Sequence, residues 1–123
     1  MDAHLNRLTI YTKKMDALVT FYAHYFGYTA HHDPADRILE LVPPGHGVVL
    51  QLHPMSKGQK EGQVSVKLTF DVANVPEFSE WAREKGLVFG AIHQADGYQF
   101  ANAKDPAKNS ISISSRAFRQ APS

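Results

Sequence analysis

The sequence predicts an α+β chain built from two copies of one strand–helix–three-strand module. Three observations carry that reading. The quartet Arg7-Leu8-Thr9-Ile10 returns as Lys67-Leu68-Thr69-Phe70, sixty positions later. Gly27 and Gly86, each where an amphipathic helix should end, lie 59 apart. Leu50-Gln51-Leu52 is matched by Ile111-Ser112-Ile113 at an offset of 61. Landmarks that recur in order at a nearly constant offset mark a duplicated unit.

The elements follow in order. From Leu5 to Thr12, Leu8, Ile10 and Thr12 alternate with Arg7, Thr9 and Tyr11, the period of a strand with one buried face. Met15, Leu18, Phe21, Tyr22 and Tyr25 then recur at helical spacing up to Gly27. Lys13 and Lys14 stand where a capping residue would be preferred, so this helix has a weak start. Strands are expected at about 28–32, 37–42 and 48–53, with DPAD (33–36) and PPGHG (43–47) as turns. Residues 54–63, PMSKGQKEGQ, are polar and rich in turn formers and read as a linker.

The plan then starts again. Residues 64–72 alternate like the first strand. Asn74 is placed to cap a second helix, with Pro76 near its first turn, Glu77 three residues after the cap, and Phe78, Trp81 and Ala82 as its apolar stripe. Strands are expected at about 87–92, 98–103 and 110–115, with KDPAKN as the last turn. The chain is thus expected to be one domain of two modules, about 4–54 and 63–116, joined by 54–63 and followed by a tail, 116–123.

Composition bounds the function. Apolar residues make up 43% and charged residues 20%, an ordinary globular balance. A net charge of +1 gives no broad basic footprint for nucleic acid or an anionic membrane. With no cysteine, disulfides and thiolate metal sites are excluded. The first twenty residues lack the apolar run of a signal peptide, and no window is long and apolar enough for a membrane span, so a cytoplasmic protein is expected.

Alternation also assigns the strand faces. Leu8, Ile10, Leu50, Leu52, Val66, Leu68, Phe70, Ile111 and Ile113 point one way and should pack against the helices. The opposite face carries Arg7, Thr9 and Tyr11; Val49, Gln51 and His53; Ser65, Lys67 and Thr69; and Ser110, Ser112 and Ser114. A polar face of this extent suggests a wet, concave surface. Glu40, on a neighbouring strand in the same register, could pair with Arg7 or Lys67 and plug that hollow, since cations seldom stay buried without a partner. The aromatic residues Phe21, Tyr22, Tyr25 and Trp81 read as core. Adjacent His31 and His32 face opposite ways on a strand and cannot chelate together, and most of the seven histidines read as scattered surface. His53 is the exception, because it shares the polar face with Gln51.

The stretches LTIYTKKMDALVTFYAHYFGY and KDPAKNSISI, within repeated βαβββ modules of about sixty residues, resemble the vicinal oxygen chelate superfamily, the group of glyoxalases, bleomycin-resistance proteins and extradiol dioxygenases. The resemblance covers Leu5 to about Ser115. It implies a curved mixed sheet with the helices on its outer face and a hollow that usually holds a divalent metal, ligated from the first and fourth strands of each module. Those positions fall here on Arg7, Gln51, Lys67 and Ser112, none of which is a His, Glu or Asp. Divalent ions in such sites need imidazole or carboxylate donors. A fixed cation repels the metal as well, by about 4 kcal/mol at about 4 Å and an effective dielectric of about 20.

No metal and no cofactor are therefore expected. The resemblance implies a small-molecule-binding protein, similar to the drug-sequestering members, with a ligand carrying an anionic or polar oxygen group. Its expected contacts are Arg7, Thr9, Tyr11, Glu40, Gln51, His53, Lys67, Thr69, Ser112 and Ser114. A homodimer is also implied. Two other readings stay open: a glyoxalase-like lyase or dioxygenase using displaced ligands such as His53 with Glu40, and an accessory dimer with no small ligand.

Overall fold

Alternation in RLTIYT produces β1 (Arg7–Thr12), and the helical stripe that follows produces α1 (Met15–Phe26). In this computed structural model residues 6–62 and 66–119 are described. The first module continues with β2 (Thr29–His31), β3 (Leu39–Val42) and β4 (Val49–Pro54). The second contains β5 (Lys67–Asp71), α2 (Val75–Glu84), β6 (His93–Gln94), β7 (Gln99–Lys104) and β8 (Ser110–Ser114), then a 3-10 turn at Arg116–Phe118. The chain divides into two compact units with the boundary between Glu61 and Gly62.

Each unit holds one four-stranded mixed sheet, in the order β1-β4-β3-β2 in the first and β5-β8-β7-β6 in the second. The outer pair is parallel, β1 with β4 and β5 with β8, and the remaining pairs are antiparallel. The register repeats too. Arg7 lies opposite Val49 and Thr9 opposite Gln51, as Lys67 lies opposite Ser110 and Thr69 opposite Ser112. This is the two-module α+β architecture that the duplicated landmarks predict.

The α1 start is weak in the way the two lysines suggest, and a distant residue repairs it. No side chain of the Lys14 cap position closes the first turn. Buried Thr12 accepts from the Lys14 N–H at 2.9 Å and donates to Glu61 Oε1 at 3.0 Å, while the same carboxylate accepts from the Lys13 N–H. A carboxylate there offsets orphan donors and the positive helix end. The far end closes on Gly27 at φ +72°, with its N–H on Ala23 and the Tyr28 N–H on Tyr22, a left-handed turn that favours glycine. In α2, Asn74 Oδ1 accepts from the Glu77 N–H at 3.0 Å, the cap the sequence predicts. The KDPAKN turn closes on buried Asp105, which accepts from the N–H groups of Ala107 and Asn109 and from Asn109 Nδ2.

The core of the first unit includes Leu18, Tyr22, Leu41, Leu50 and Leu52; that of the second includes Val75, Ala82, Ala101, Ile111 and Ile113. Several expectations need correction. No strand forms over 87–92. Leu87 and Phe89 are buried there and Val88 is exposed, but the segment is tied to β7 by the Gly90 N–H on Asn102, so burial alternates without a ladder. Trp81 and Val66 are exposed rather than core. In α2 the buried positions are Val75, Ser79 and Ala82, which leaves Trp81 on the flank of the stripe with Lys85 Nζ 5.5 Å from its ring centre. Val66 precedes β5 and escapes the packed face. Tyr25 is only half-buried. Leu5, residues 63–65 and the end of the tail, 120–123, lie outside the described residues.

Tyr28 is buried, with its hydroxyl donating to the Val48 carbonyl at 3.2 Å, and burial raises its pKa above 10.0. The folded state therefore favours the protonated phenol. That contribution is whole below the ordinary tyrosine value and is lost as pH rises above it. Tyr28→Phe is expected to cost about 1 kcal/mol at neutral pH through the lost hydrogen bond. Its stability should then fall less steeply than wild type above pH ~10, as read by chemical denaturation across pH.

Candidate functional site

The parity set by β1 and β4 puts one polar row across the whole first sheet. Thr9 lies opposite Gln51, Gln51 opposite Glu40, and Glu40 opposite His31. Residues directly opposite share a face, so these four side chains stand side by side. Above that row, Tyr11 lies opposite His53, with ring centres 5.0 Å apart at 51°. His53 Nδ1 sits 2.8 Å from the Pro54 carbonyl. A carbonyl can only accept, so Nδ1 is the donor in this contact. Below the row, Arg7 reaches back to Glu40, Nη1 to Oε1 at 3.0 Å.

The second sheet repeats the pattern with different chemistry. Thr69 lies opposite Ser112 and Ser112 opposite Asn102; Lys67 lies opposite Ser110 and Ser110 opposite Lys104. Lys67 Nζ donates to Asn102 Oδ1 at 3.0 Å, and Lys104 Nζ to Ser110 Oγ at 2.7 Å. The correspondence is close. In each sheet the cation of the first strand bonds the third-strand side chain that faces Gln51 or its counterpart Ser112. Glu40 neutralises its cation; Asn102 does not. Among the described residues Lys67 has no carboxylate partner.

Other candidate positions are less open. Ser112 and Ser114 are 3% and 6% exposed. The Ser112 hydroxyl donates to the Ala101 carbonyl at 3.1 Å, and Ser114 Oγ accepts from the Arg116 N–H at 3.1 Å. Both are committed within their own unit.

No family model matches the chain, and no curated protein is significantly similar to it. Solved structures do match. UcmS2 superposes with a TM-score of 0.76 at 20% identity, covering 94% of this chain and 99% of that one. TnmS3, an antibiotic binding protein from Streptomyces sp. CB03234, gives 0.74 at 18% over 91% and 94%. A glyoxalase/bleomycin resistance protein/dioxygenase superfamily member from Sphaerobacter thermophilus DSM 20745 gives 0.74 at 20% over 92% and 97%. This chain has the vicinal oxygen chelate fold.

The positions at which that fold usually carries metal ligands do not fit a divalent ion here. Arg7 and Lys67 are cations, while Gln51 and Ser112 offer neutral oxygens, one of them already engaged. No group of three His, Asp or Glu side chains among the described residues is arranged to hold a metal. Glu40, the carboxylate nearest these positions by register, is taken by Arg7.

Sequence reasoning did not place Asn102 and Lys104 on the polar face. It read His31 as surface, and His31 is exposed; its place opposite Glu40 depends on a cross-strand register that no local pattern reveals. Asn102 and Lys104 sit on a strand whose partner was not assigned beforehand. No helix of the described residues is long and apolar enough to cross a membrane.

The Arg7–Glu40 pair is open to solvent, with side chains 51% and 38% exposed. Glu40→Ala is therefore expected to change stability by no more than about 1 kcal/mol in urea unfolding, and by less at high salt. A loss of several kcal/mol would mean that the pair plugs a buried hollow.

Proposed function

We propose that the protein binds a small organic molecule through the polar sheet faces, without a metal or other cofactor. The bound group is an anionic or strongly polar oxygen function. The observation that supports this best is Lys67, an ammonium held toward the polar face by Asn102, which supplies a hydrogen bond but no opposite charge. A ligand carboxylate, phosphate or enolate would complete it with a charge-assisted hydrogen bond.

Arg7 plays the corresponding part on the first sheet, where its planar fork can grip two oxygens while it keeps one contact to Glu40. Thr9, Gln51 and Thr69 supply further hydrogen bonds, and Tyr11 with His53 forms an aromatic wall against which a planar group can lie. Ser112 and Ser114, whose hydroxyls are already engaged, belong to the second sheet. The likeness in fold to an antibiotic binding protein supports a small organic molecule as the ligand class.

A thermal-shift screen of small organic anions against neutral analogues tests this. Anions should raise the melting temperature selectively. Lys67→Ala and Arg7→Ala should each weaken the preference, with both variants still folded. If neither substitution alters any ligand response, or if no anion shifts the melting curve, the polar faces are solvated surface and the reading fails.

The same reading places the protein in the cytoplasm as a homodimer. Each sheet has two edge strands, β1 and β2 or β5 and β6, and exposed edges are commonly covered by pairing. Sedimentation equilibrium at micromolar concentration should give about twice the 13.7 kDa chain mass. A single species at the chain mass would overturn the dimer.

A further inference from the structure

The second unit carries a cluster of cations that the polar-face reading does not use. The 3-10 turn Arg116–Phe118 follows β8, and Tyr98 stands just before β7. Arg116 Cζ lies 5.2 Å and Arg119 Cζ 5.7 Å from the centre of the Tyr98 ring, and Arg116 Nη1 donates to the Tyr98 hydroxyl at 3.1 Å. Two guanidinium groups thus gather on one aromatic ring.

Both supports are tied down by backbone hydrogen bonds. The Ser115 N–H donates to the Gln99 carbonyl at 3.0 Å, and Ser115 Oγ accepts from the Gln99 N–H at 3.0 Å. The Arg116 N–H is held by Ser114 Oγ, and the Phe118 N–H by the Ser115 carbonyl. On the facing side, the Ala95 N–H donates to the Tyr98 carbonyl at 2.9 Å across a tight turn through Gly97, whose φ is +79°. Gln94 Nε2 bonds the Ala95 and Tyr98 carbonyls as well. The turn that carries the arginines and the turn that carries the ring are therefore fastened to the same strand pair.

What the cluster lacks is a counter-charge. Among the described residues neither Arg116 nor Arg119 has a carboxylate partner, and Asp96, in the same turn as Tyr98, pairs with neither. The Arg119 N–H bonds the Arg116 carbonyl at 3.3 Å, the i→i+3 contact that closes the turn and sets the two arginines one turn apart. The ring's negative face offsets part of their repulsion, but an oxyanion bridging them would offset more.

We propose that Arg116 and Arg119, held on Tyr98, form an oxyanion-binding site whose preferred occupant is a phosphate or carboxylate group of a small molecule. The planar forks match two oxygens each. The site stands whether or not the polar sheet faces bind a ligand.

Isotope-labelled protein titrated with inorganic phosphate at constant ionic strength, with chloride as control and acetate in parallel, tests the proposal by amide chemical shifts. Saturable shifts at residues 97–99 and 115–119 with phosphate or acetate, absent with chloride, are expected. The Arg116→Gln/Arg119→Gln double variant should keep a dispersed spectrum and weaken the response by about tenfold or more, through loss of two charge-assisted contacts. Lys67→Ala should leave that response unchanged, which separates this site from the sheet face. Shifts that never saturate, that survive in the double variant, or that vanish in Lys67→Ala would overturn it.

Discussion

Parallel pairing of the first and fourth strands is the constraint on which each module rests. Once Arg7 is set opposite Val49, and Lys67 opposite Ser110, every later side chain in the sheet is assigned a face. A slip of one residue would turn Leu50, Leu52, Ile111 and Ile113 away from the helices and bring Gln51 toward them. The cost of exposing several fully buried aliphatic side chains, at roughly 1.5–3 kcal/mol each, rules that slip out. The connection between the paired strands starts with the helix and continues through two further strands, long enough for the crossover that parallel pairing requires. The apolar stripe of that helix, Leu18, Phe21 and Tyr22 in the first module, supplies part of the buried surface that favours the register.

The polar face follows from the same parity, and there the two copies part. A cation on the first strand reaches a side chain on the third in both sheets, so the geometry of the contact is inherited with the module. Its electrostatics is not. The carboxylate of Glu40 closes the local charge around Arg7, whereas the amide of Asn102 leaves the Lys67 charge intact. A duplicated frame can thus keep its hydrogen-bond geometry while one substitution converts a balanced surface into an electropositive one.

The second unit shows how far backbone anchoring reaches beyond the sheet. Ser114 ends β8 with a side chain that holds the following turn, and Gln99 opens β7 with both its N–H and its carbonyl engaged by Ser115. Placement of the two arginines on Tyr98 depends on these bonds more than on the exposed side chains themselves. The first unit has a comparable long-range device in Glu61, which completes the start of α1 from the far end of the linker segment.

The sequence by itself determined the duplicated βαβββ plan, the two helices and their ends at Gly27 and near Gly86, and the polar and apolar strand faces. These are legible because each depends on spacing along the chain: a period of two, a period near 3.6, and an offset near sixty. It also named Arg7, Glu40, Gln51 and Lys67 as residues of one kind of surface. Only the tertiary structure decided that Glu40 bonds Arg7 and Asn102 bonds Lys67, that His31 joins the Glu40 row, and that the 87–92 segment forms no ladder strand. It alone brought Arg116 and Arg119 to Tyr98. Those outcomes turn on which strands are neighbours and on hydrogen bonds between residues far apart in sequence. Local periodicity carries no record of either.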